Sequence, residues 1–206
     1  MNQTSERRLY GLFAELLGYP SQRLAIAASE AAALASPISP AAAAMLREFA
    51  VFATETPPLR IEEIYTSVFE LDAVCHPYVG YHLFGESYKR SSFMLGLKDR
   101  YSPYSLSYGA ELPDHLAVIL SFLAVNDDPC EAEVLIVEAL HPSLQRMLAT
   151  KEDEEPPDPA IPKPPPKGGP YRAPLEALGL VLTVIAPPVA AQVETPQFFE
   201  LTPVTA

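Results

Sequence analysis

Apolar residues recur at helical spacing along most of this chain, and no stretch alternates apolar and polar residues as a half-buried strand does. The clearest stripe lies within residues 6–18 and consists of Leu9, Leu12, Phe13, Leu16 and Leu17. The same periodicity predicts further helices over residues 27–35, 59–71, 86–99 and 171–186. The pattern therefore predicts an all-α protein.

A polar residue followed by a proline marks the start of another helix. Ser39 can act as its N-cap, and Pro40 suits its first turn because the proline lacks an N–H that would have no partner there. Spacing predicts that this helix faces inward with Met45, Phe49 and Phe52.

Proline also places two helices in the second half of the chain. We expect Pro113 and Asp114 in the first turn of one helix, where the positive end of the helix dipole stabilises the carboxylate. Asp128 and Pro129 open a second helix that runs to about residue 147, and Pro142 should kink or break it near its middle.

Two segments fall outside the helical pattern. Residues 150–170 are rich in proline and acidic at their start, which predicts a linker or insertion of polyproline character. Residues 187–206 show no helical periodicity, and we expect an extended or disordered tail. The predicted organisation is a single-domain helical bundle over residues 1–186, with the insertion before its last helix.

Composition narrows the function. The chain has 206 residues, the length of one ordinary domain, and a net charge of -12. This charge argues against nucleic-acid binding by neutralisation of phosphates and against binding to an anionic membrane. Cys75 and Cys130 lie far apart without metal-ligand spacing, so we expect buried thiols in a reducing compartment and neither a disulfide framework nor a zinc site.

No segment has the pattern of a secretory signal or a transmembrane helix. The amino-terminal residues are polar, then basic, then amphipathic, without an uninterrupted apolar run. The most apolar stretch, 175–193, is interrupted by Glu176 and Pro187, whereas a bilayer-spanning helix needs about 20 apolar residues. We therefore expect a cytoplasmic protein.

Catalytic and metal-binding motifs are absent from the sequence. It contains no G-x-S-x-G, H-E-x-x-H or G-x-G-x-x-G, and Gly80 to Gly85 lack the lysine of a phosphate loop. His76 and His82 lie near Cys75, but no second pair with metal-ligand spacing accompanies them. We expect neither a catalytic residue nor a metal site, and residues 75–85 are predicted to be a loop docked on helices.

Two clusters remain as candidate binding residues. Asp114 and His115 could hold an incoming peptide amide, or could be a first-turn acid with a partly buried histidine, and the sequence leaves both interpretations open. The second cluster is aromatic and has more aromatic surface than a small loop needs, which suits peptide binding. Its members are Tyr65, Phe69, Tyr78, Tyr81 and Phe84. Core packing is the alternative for Tyr65 and Phe69.

At these residues the chain resembles the redox-enzyme maturation chaperones. The resemblance lies in Y-x-x-x-F at 65–69, PYVGYHLFG at 77–85, GESYKR at 85–90, ELPDHLAVILSFLA at 111–124 and YRAPL at 171–175. The order of these segments within residues 6–185 is most similar to the nitrate reductase delta subunit branch, also called molybdenum cofactor assembly chaperones. The Pro-Asp-His-Leu segment is the most specific of them.

The resemblance implies an all-helical, non-enzymatic chaperone that binds the apo catalytic subunit of a molybdopterin oxidoreductase, such as respiratory nitrate reductase. It implies binding to the client's N-terminal segment, assistance in molybdenum cofactor insertion, and no permanently bound cofactor. Transient contact with molybdopterin guanine dinucleotide carried by the client is compatible with it. Carried over by position, the peptide-binding groove would comprise Tyr78, Gly80, Tyr81, Leu83, Pro113, Asp114 and His115, supported by Tyr65 and Phe69.

Two other functions stay open at this point. The first is an all-α structural subunit retained in a finished reductase complex. The second is an enzyme or cofactor carrier in which His76, His82, His115 and Asp114 converge on a metal ion or nucleotide. The long segment 150–170 departs from the family pattern, and no role is assigned to it.

Overall fold

The structure is a computed structural model that describes residues 3–71, 75–149 and 168–188. The helices are α1 (Gln3–Leu17), α2 (Leu24–Ala35), α3 (Pro40–Glu55), α4 (Pro58–Phe69), α5 (Val79–Phe84), α6 (Tyr88–Tyr101), α7 (Leu116–Val125), α8 (Pro129–Leu135), α9 (His141–Leu148) and α10 (Arg172–Ile185). The prediction of an all-α fold is confirmed for these residues. Most of the predicted insertion and tail, residues 150–167 and 189–206, lie outside the described residues.

The core forms where the apolar stripes of the helices meet. α1 packs against α7 and α2, and α3 packs against α2 and α10. All five residues of the predicted α1 stripe are buried. α7 is apolar around most of its circumference, and six of its ten residues are buried, as expected of a central helix. In the described parts of the chain, no helix is long and apolar enough to cross a lipid bilayer.

α3 begins as predicted, although its buried face is shifted. The Ser39 hydroxyl oxygen accepts a hydrogen bond from the Ala42 amide at 3.2 Å, which is the expected N-cap. Phe49 is buried, but Met45 and Phe52 are only partly buried against the core. Small residues from α3, with Leu46, form the rest of the buried face and allow α2 and α3 to approach closely.

Three local predictions are wrong. Residues 79–84 form the short helix α5, which ends at Gly85, where φ is 61° and a side chain would be strained. α7 begins at Leu116, so that Pro113 and Asp114 precede the helix instead of forming its first turn. Cys75 is buried as expected, but Cys130 is exposed near the start of α8.

The helical path from Asp128 to about residue 147 is not a regular α-helix ahead of Pro142. Residues Ile136–Leu140 form a π-helical segment in which the His141 amide bonds to the Ile136 carbonyl. α9 then restarts with Pro142 in its first turn, where a proline needs no hydrogen-bond partner. The wider turn thus accommodates the proline without ending the helical path, and α9 packs against both α5 and α10.

Candidate functional site

An isolated antiparallel bridge joins the segment before α5 to the segment before α7. Its centre pairs Tyr78 with His115. The Val79 amide donates to the Asp114 carbonyl at 2.8 Å, and the Leu116 amide donates to the Pro77 carbonyl at 2.7 Å. The bridge therefore brings together the two segments that contain the predicted groove residues, although they are far apart in sequence.

The Asp114 carboxylate lies beneath this bridge and is fully buried. Its Oδ2 atom accepts a hydrogen bond from Nε of Arg90, on α6, at 2.8 Å. Its Oδ1 atom is buried and has no hydrogen-bond partner among the described residues. Asp114 is therefore a buried ion-pair acceptor, and its charge is held by Arg90 instead of by the helix dipole that we expected.

Gly80 contributes to the site by lacking a side chain, which leaves room for its neighbours. A Cβ atom at this position would lie 2.7 Å from Asp114 Oδ2, 2.8 Å from Phe93 Cδ1 and 3.2 Å from Arg90 Cγ. The first two distances are shorter than carbon atoms tolerate, so a side chain here would displace the buried ion pair. Gly80 thus lets α5 lie directly against the Asp114–Arg90 pair.

Two tyrosine rings flank the Arg90 guanidinium. Its central carbon lies 5.4 Å from the ring centroid of Tyr78 and 5.9 Å from that of Tyr81. Both distances are within the range of a cation–π interaction. Tyr78 and Tyr81 are each half-buried, so the two rings and the guanidinium between them reach the surface together.

His115 caps α7. Its Nδ1 atom accepts a hydrogen bond from the Ala117 amide at 3.1 Å, which requires a ring nitrogen without a proton. The ring also packs edge-on against Tyr78 at a centroid distance of 5.5 Å. Burial lowers the pKa of His115 to about 4, because the buried ring lacks the water that would stabilise its charged form.

Acidic residues lie near Tyr78. Burial raises the pKa of the Tyr78 hydroxyl, the charges of Glu111, Asp114 and Glu70 raise it further, and Arg90 lowers it. Partial burial and the charge of Glu70 raise the pKa of Glu111, which indicates two neighbouring carboxylates. We call Glu70, Glu111 and the exposed Leu71 and Leu112 that follow them in the sequence the acidic rim.

The supporting aromatics belong to the core. Tyr65 and Phe69 are buried and pack against each other at 4.9 Å between ring centroids. Both also contact Tyr171, at 5.6 and 5.3 Å. The structure thus supports the alternative that the sequence left open for these two residues.

The other predicted site residues differ in accessibility. Pro113 and Gly80 are buried, and the Pro113 carbonyl accepts a hydrogen bond from the Tyr101 hydroxyl at 2.9 Å. Leu83, on α5, is partly buried and packs against the core. Pro113, Asp114 and His115 are thus all covered in the part of the chain that the structure describes. Their role in client binding stays a prediction, and Arg90 is the residue that the sequence reasoning did not include in the site.

His76 and His82, near Cys75, contact groups within residues 76–82. Nε2 of His82 lies 2.7 Å from the His76 carbonyl oxygen, and the His76 ring packs against Tyr81 at 4.5 Å. The Cys75 thiol points to the Met147 carbonyl, with 3.6 Å between sulfur and oxygen. Within the described ranges, no group of three or more His, Cys, Asp or Glu side chains could hold a metal ion.

Comparisons with known proteins identify a family and a solved structure of similar fold. The family model described as nitrate reductase delta subunit matches residues 35–150, more than half of the chain. The crystal structure of an Archaeoglobus fulgidus protein, provisionally assigned as a redox enzyme maturation protein, matches with a TM-score of 0.52 at 24% sequence identity. That match covers 84% of this chain and 91% of the other, and at this identity it shows a shared fold. No curated protein matches the chain significantly.

Proposed function

Because the chain belongs to the nitrate reductase delta subunit family, we propose that it is a maturation chaperone for a redox enzyme. Its client is the apo catalytic subunit of a molybdopterin oxidoreductase, bound through the N-terminal segment of that subunit. The chaperone keeps the subunit competent for molybdenum cofactor insertion, acts in the cytoplasm and has no turnover of its own. It holds no cofactor permanently and meets molybdopterin guanine dinucleotide only on the client.

The family match carries this proposal. The matched residues 35–150 contain every candidate site residue, from Tyr65 to His115, together with Arg90. The similarity in fold to a redox enzyme maturation protein supports the same proposed function.

The surface proposed to receive the client consists of Tyr78, Tyr81, Leu83 and Arg90. The two tyrosines combine an apolar ring with a polar hydroxyl, which suits a site that binds a peptide yet remains hydrated when empty. Asp114 and His115 act from beneath this surface. Asp114 holds Arg90 in place, and His115 fixes the start of α7 and packs against Tyr78.

Charge favours a basic client segment. The chain has a net charge of -12, and the acidic rim places two carboxylates beside Tyr78. Opposite charges on the two partners raise the encounter rate and orient the approach. The exposed Leu71 and Leu112 of the rim and the partly buried Leu83 then offer apolar surface against which a peptide can pack.

The test is affinity purification of the tagged protein from its native cytoplasm, with the bound proteins identified by mass spectrometry and assayed for molybdenum. We expect a molybdopterin-enzyme catalytic subunit without molybdenum. Leu83→Ala should reduce recovery of this subunit, whereas Leu59→Ala, at a 75% exposed leucine on α4, should leave recovery unchanged. Recovery only of a metallated subunit together with the other subunits of its enzyme would indicate a structural subunit and would overturn the proposal.

A further inference from the structure

Arg90 presents unpaired hydrogen-bond donors at the surface of the site. Its side chain is 16% exposed, and its contact with Asp114 uses Nε alone. The described residues provide no partner for the two Nη groups, and neither group is buried. Arg90 therefore has up to four outward N–H donors that only water or a bound molecule can satisfy.

The surroundings fix these donors in position. Asp114 holds the inner edge of the guanidinium, and Tyr78 and Tyr81 flank it. A long arginine side chain normally loses considerable rotamer freedom when it binds a ligand. Here most of that freedom is lost already in the free protein, so a ligand that matches the donors binds with a smaller entropic cost.

The charges around Arg90 select the kind of acceptor. The buried Asp114 carboxylate already balances the guanidinium, and Glu70 and Glu111 add two negative charges near Tyr78. A phosphate or carboxylate ligand would meet this excess of negative charge. A peptide carbonyl is a neutral acceptor, and a peptide can place a lysine or arginine side chain beside the acidic rim at the same time.

We propose that Arg90 binds the main chain of the client, donating its Nη hydrogens to backbone carbonyl oxygens of the client segment. The inference rests on the proposed function and adds to it the contacting residue and the part of the client that it meets. Arg90 thereby fixes the position of the peptide whatever its side chains, and the acidic rim favours basic sequences at that position.

The probe is a fluorescent peptide of the first 25 or so residues of the catalytic subunit recovered by affinity purification, and fluorescence anisotropy measures its binding. Arg90→Lys keeps the positive charge beside Asp114 but removes the outward planar donors. We expect it to weaken binding by about tenfold to hundredfold, as hydrogen bonds that involve a charged group do. Arg60→Lys is the matched control, because Arg60 is an exposed arginine paired with Glu63 on α4, and it should bind as the wild type does. Thermal melts verify that both variants fold.

A second measurement separates contact with the main chain from a structural role of Arg90. Replacing one amide of the peptide by an ester at a time makes each carbonyl in turn a poorer acceptor. Wild-type protein should show one or two sensitive positions, and Arg90→Lys should lose that sensitivity, as in a double-mutant cycle. If Arg90→Lys does not fold, the ester scan on wild-type protein still tests for contact with the main chain.

The outcomes distinguish the inference from the proposed function. If wild-type protein recovers no catalytic subunit, the proposed function fails and this inference fails with it. If the peptide binds wild-type and Arg90→Lys protein equally, or if no ester position is sensitive, the role of Arg90 is overturned while the chaperone function stands. Inorganic pyrophosphate that binds wild-type protein and competes with the peptide would instead identify Arg90 as an anion site and would also overturn the inference.

Discussion

Replacement of Gly80 by alanine tests the arrangement at the centre of the site. The new methyl group would lie 2.7 Å from Asp114 Oδ2 and 2.8 Å from the Phe93 ring, so that the carboxylate, the ring or α5 must move. Overpacking of this kind costs about 1–3 kcal/mol. Alanine regains at most about 1 kcal/mol from its higher helix propensity.

The buried ion pair adds to this cost. Loss of one partner from a buried pair destabilises a protein by about 3–5 kcal/mol, and a displaced Asp114 carboxylate loses part of that interaction. We therefore expect Gly80→Ala to lower the free energy of unfolding by about 2–4 kcal/mol. Urea denaturation followed by circular dichroism measures this difference.

Gly179→Ala is the matched control for this experiment. Gly179 lies in α10, and a Cβ atom there would have no heavy atom within 4 Å beyond its own helical neighbourhood. The substitution should leave stability unchanged or raise it by about 0.5–1 kcal/mol. If Gly80→Ala behaves like Gly179→Ala, the described contact between Gly80 and the buried pair is wrong.

Four further substitutions test other parts of the structure. Burial lowers the pKa of His115 to about 4, against 6.5 for an exposed histidine. As the pH is lowered, the unfolded chain therefore takes up the proton before the folded chain does, and the free energy of unfolding decreases at pH values under about 6.5. Denaturation should show a loss of about 2 kcal/mol from this group between about pH 7 and pH 5, and His115→Asn, which keeps a capping oxygen, should remove that component. Tyr171→Phe should leave stability unchanged or higher, because the buried Tyr171 hydroxyl has no partner among the described residues. By contrast, Tyr101→Phe should lower the free energy of unfolding by about 1 kcal/mol, because it removes the hydrogen bond to the Pro113 carbonyl. Phe69→Ala should lower the free energy of unfolding by about 3–5 kcal/mol, and a neutral result would refute its place in the core.

The periodicity of apolar residues predicts the long helices well, because a helix that buries one face needs apolar residues at helical spacing. The five apolar residues of the α1 stripe are buried, and Ser39 caps α3 as its side chain suggested. α5 could not be predicted in the same way, because six residues do not complete two turns and leave no repeat to recognise. Its packing on α9 and α6 stabilises it instead.

The start of α7 shows how a tertiary contact overrides a local signal. Pro113 and Asp114 have the composition of a first helical turn. However, the Asp114 carbonyl bonds to the Val79 amide at the start of α5, and the Leu116 amide bonds to the Pro77 carbonyl just before it. These bonds hold the backbone at 114–115 out of the helix. His115 therefore becomes the cap, and nothing in the local sequence indicates this.

The site could be predicted in part. The sequence singled out both segments of the bridge, but it contained no information on what lies between them. Arg90 follows Lys89 in a polar stretch and has the pattern of an ordinary solvated basic pair. Only the packing of α6 against α5 brings Arg90 to Asp114 and the two tyrosine rings.

If the client binds at the proposed surface, the bridge between Tyr78 and His115 also links its binding to local folding. Two backbone hydrogen bonds join segments whose loop closure costs about 3 kcal/mol of chain entropy. When these bonds open, Arg90, Tyr78 and the start of α7 are no longer held in one arrangement, so the surface proposed to receive the client is lost. A client that binds only the closed form must suppress the opening in proportion to its affinity and concentration. Slower hydrogen exchange at the Val79 and Leu116 amides would therefore measure occupancy directly, even for a client whose own structure never becomes ordered.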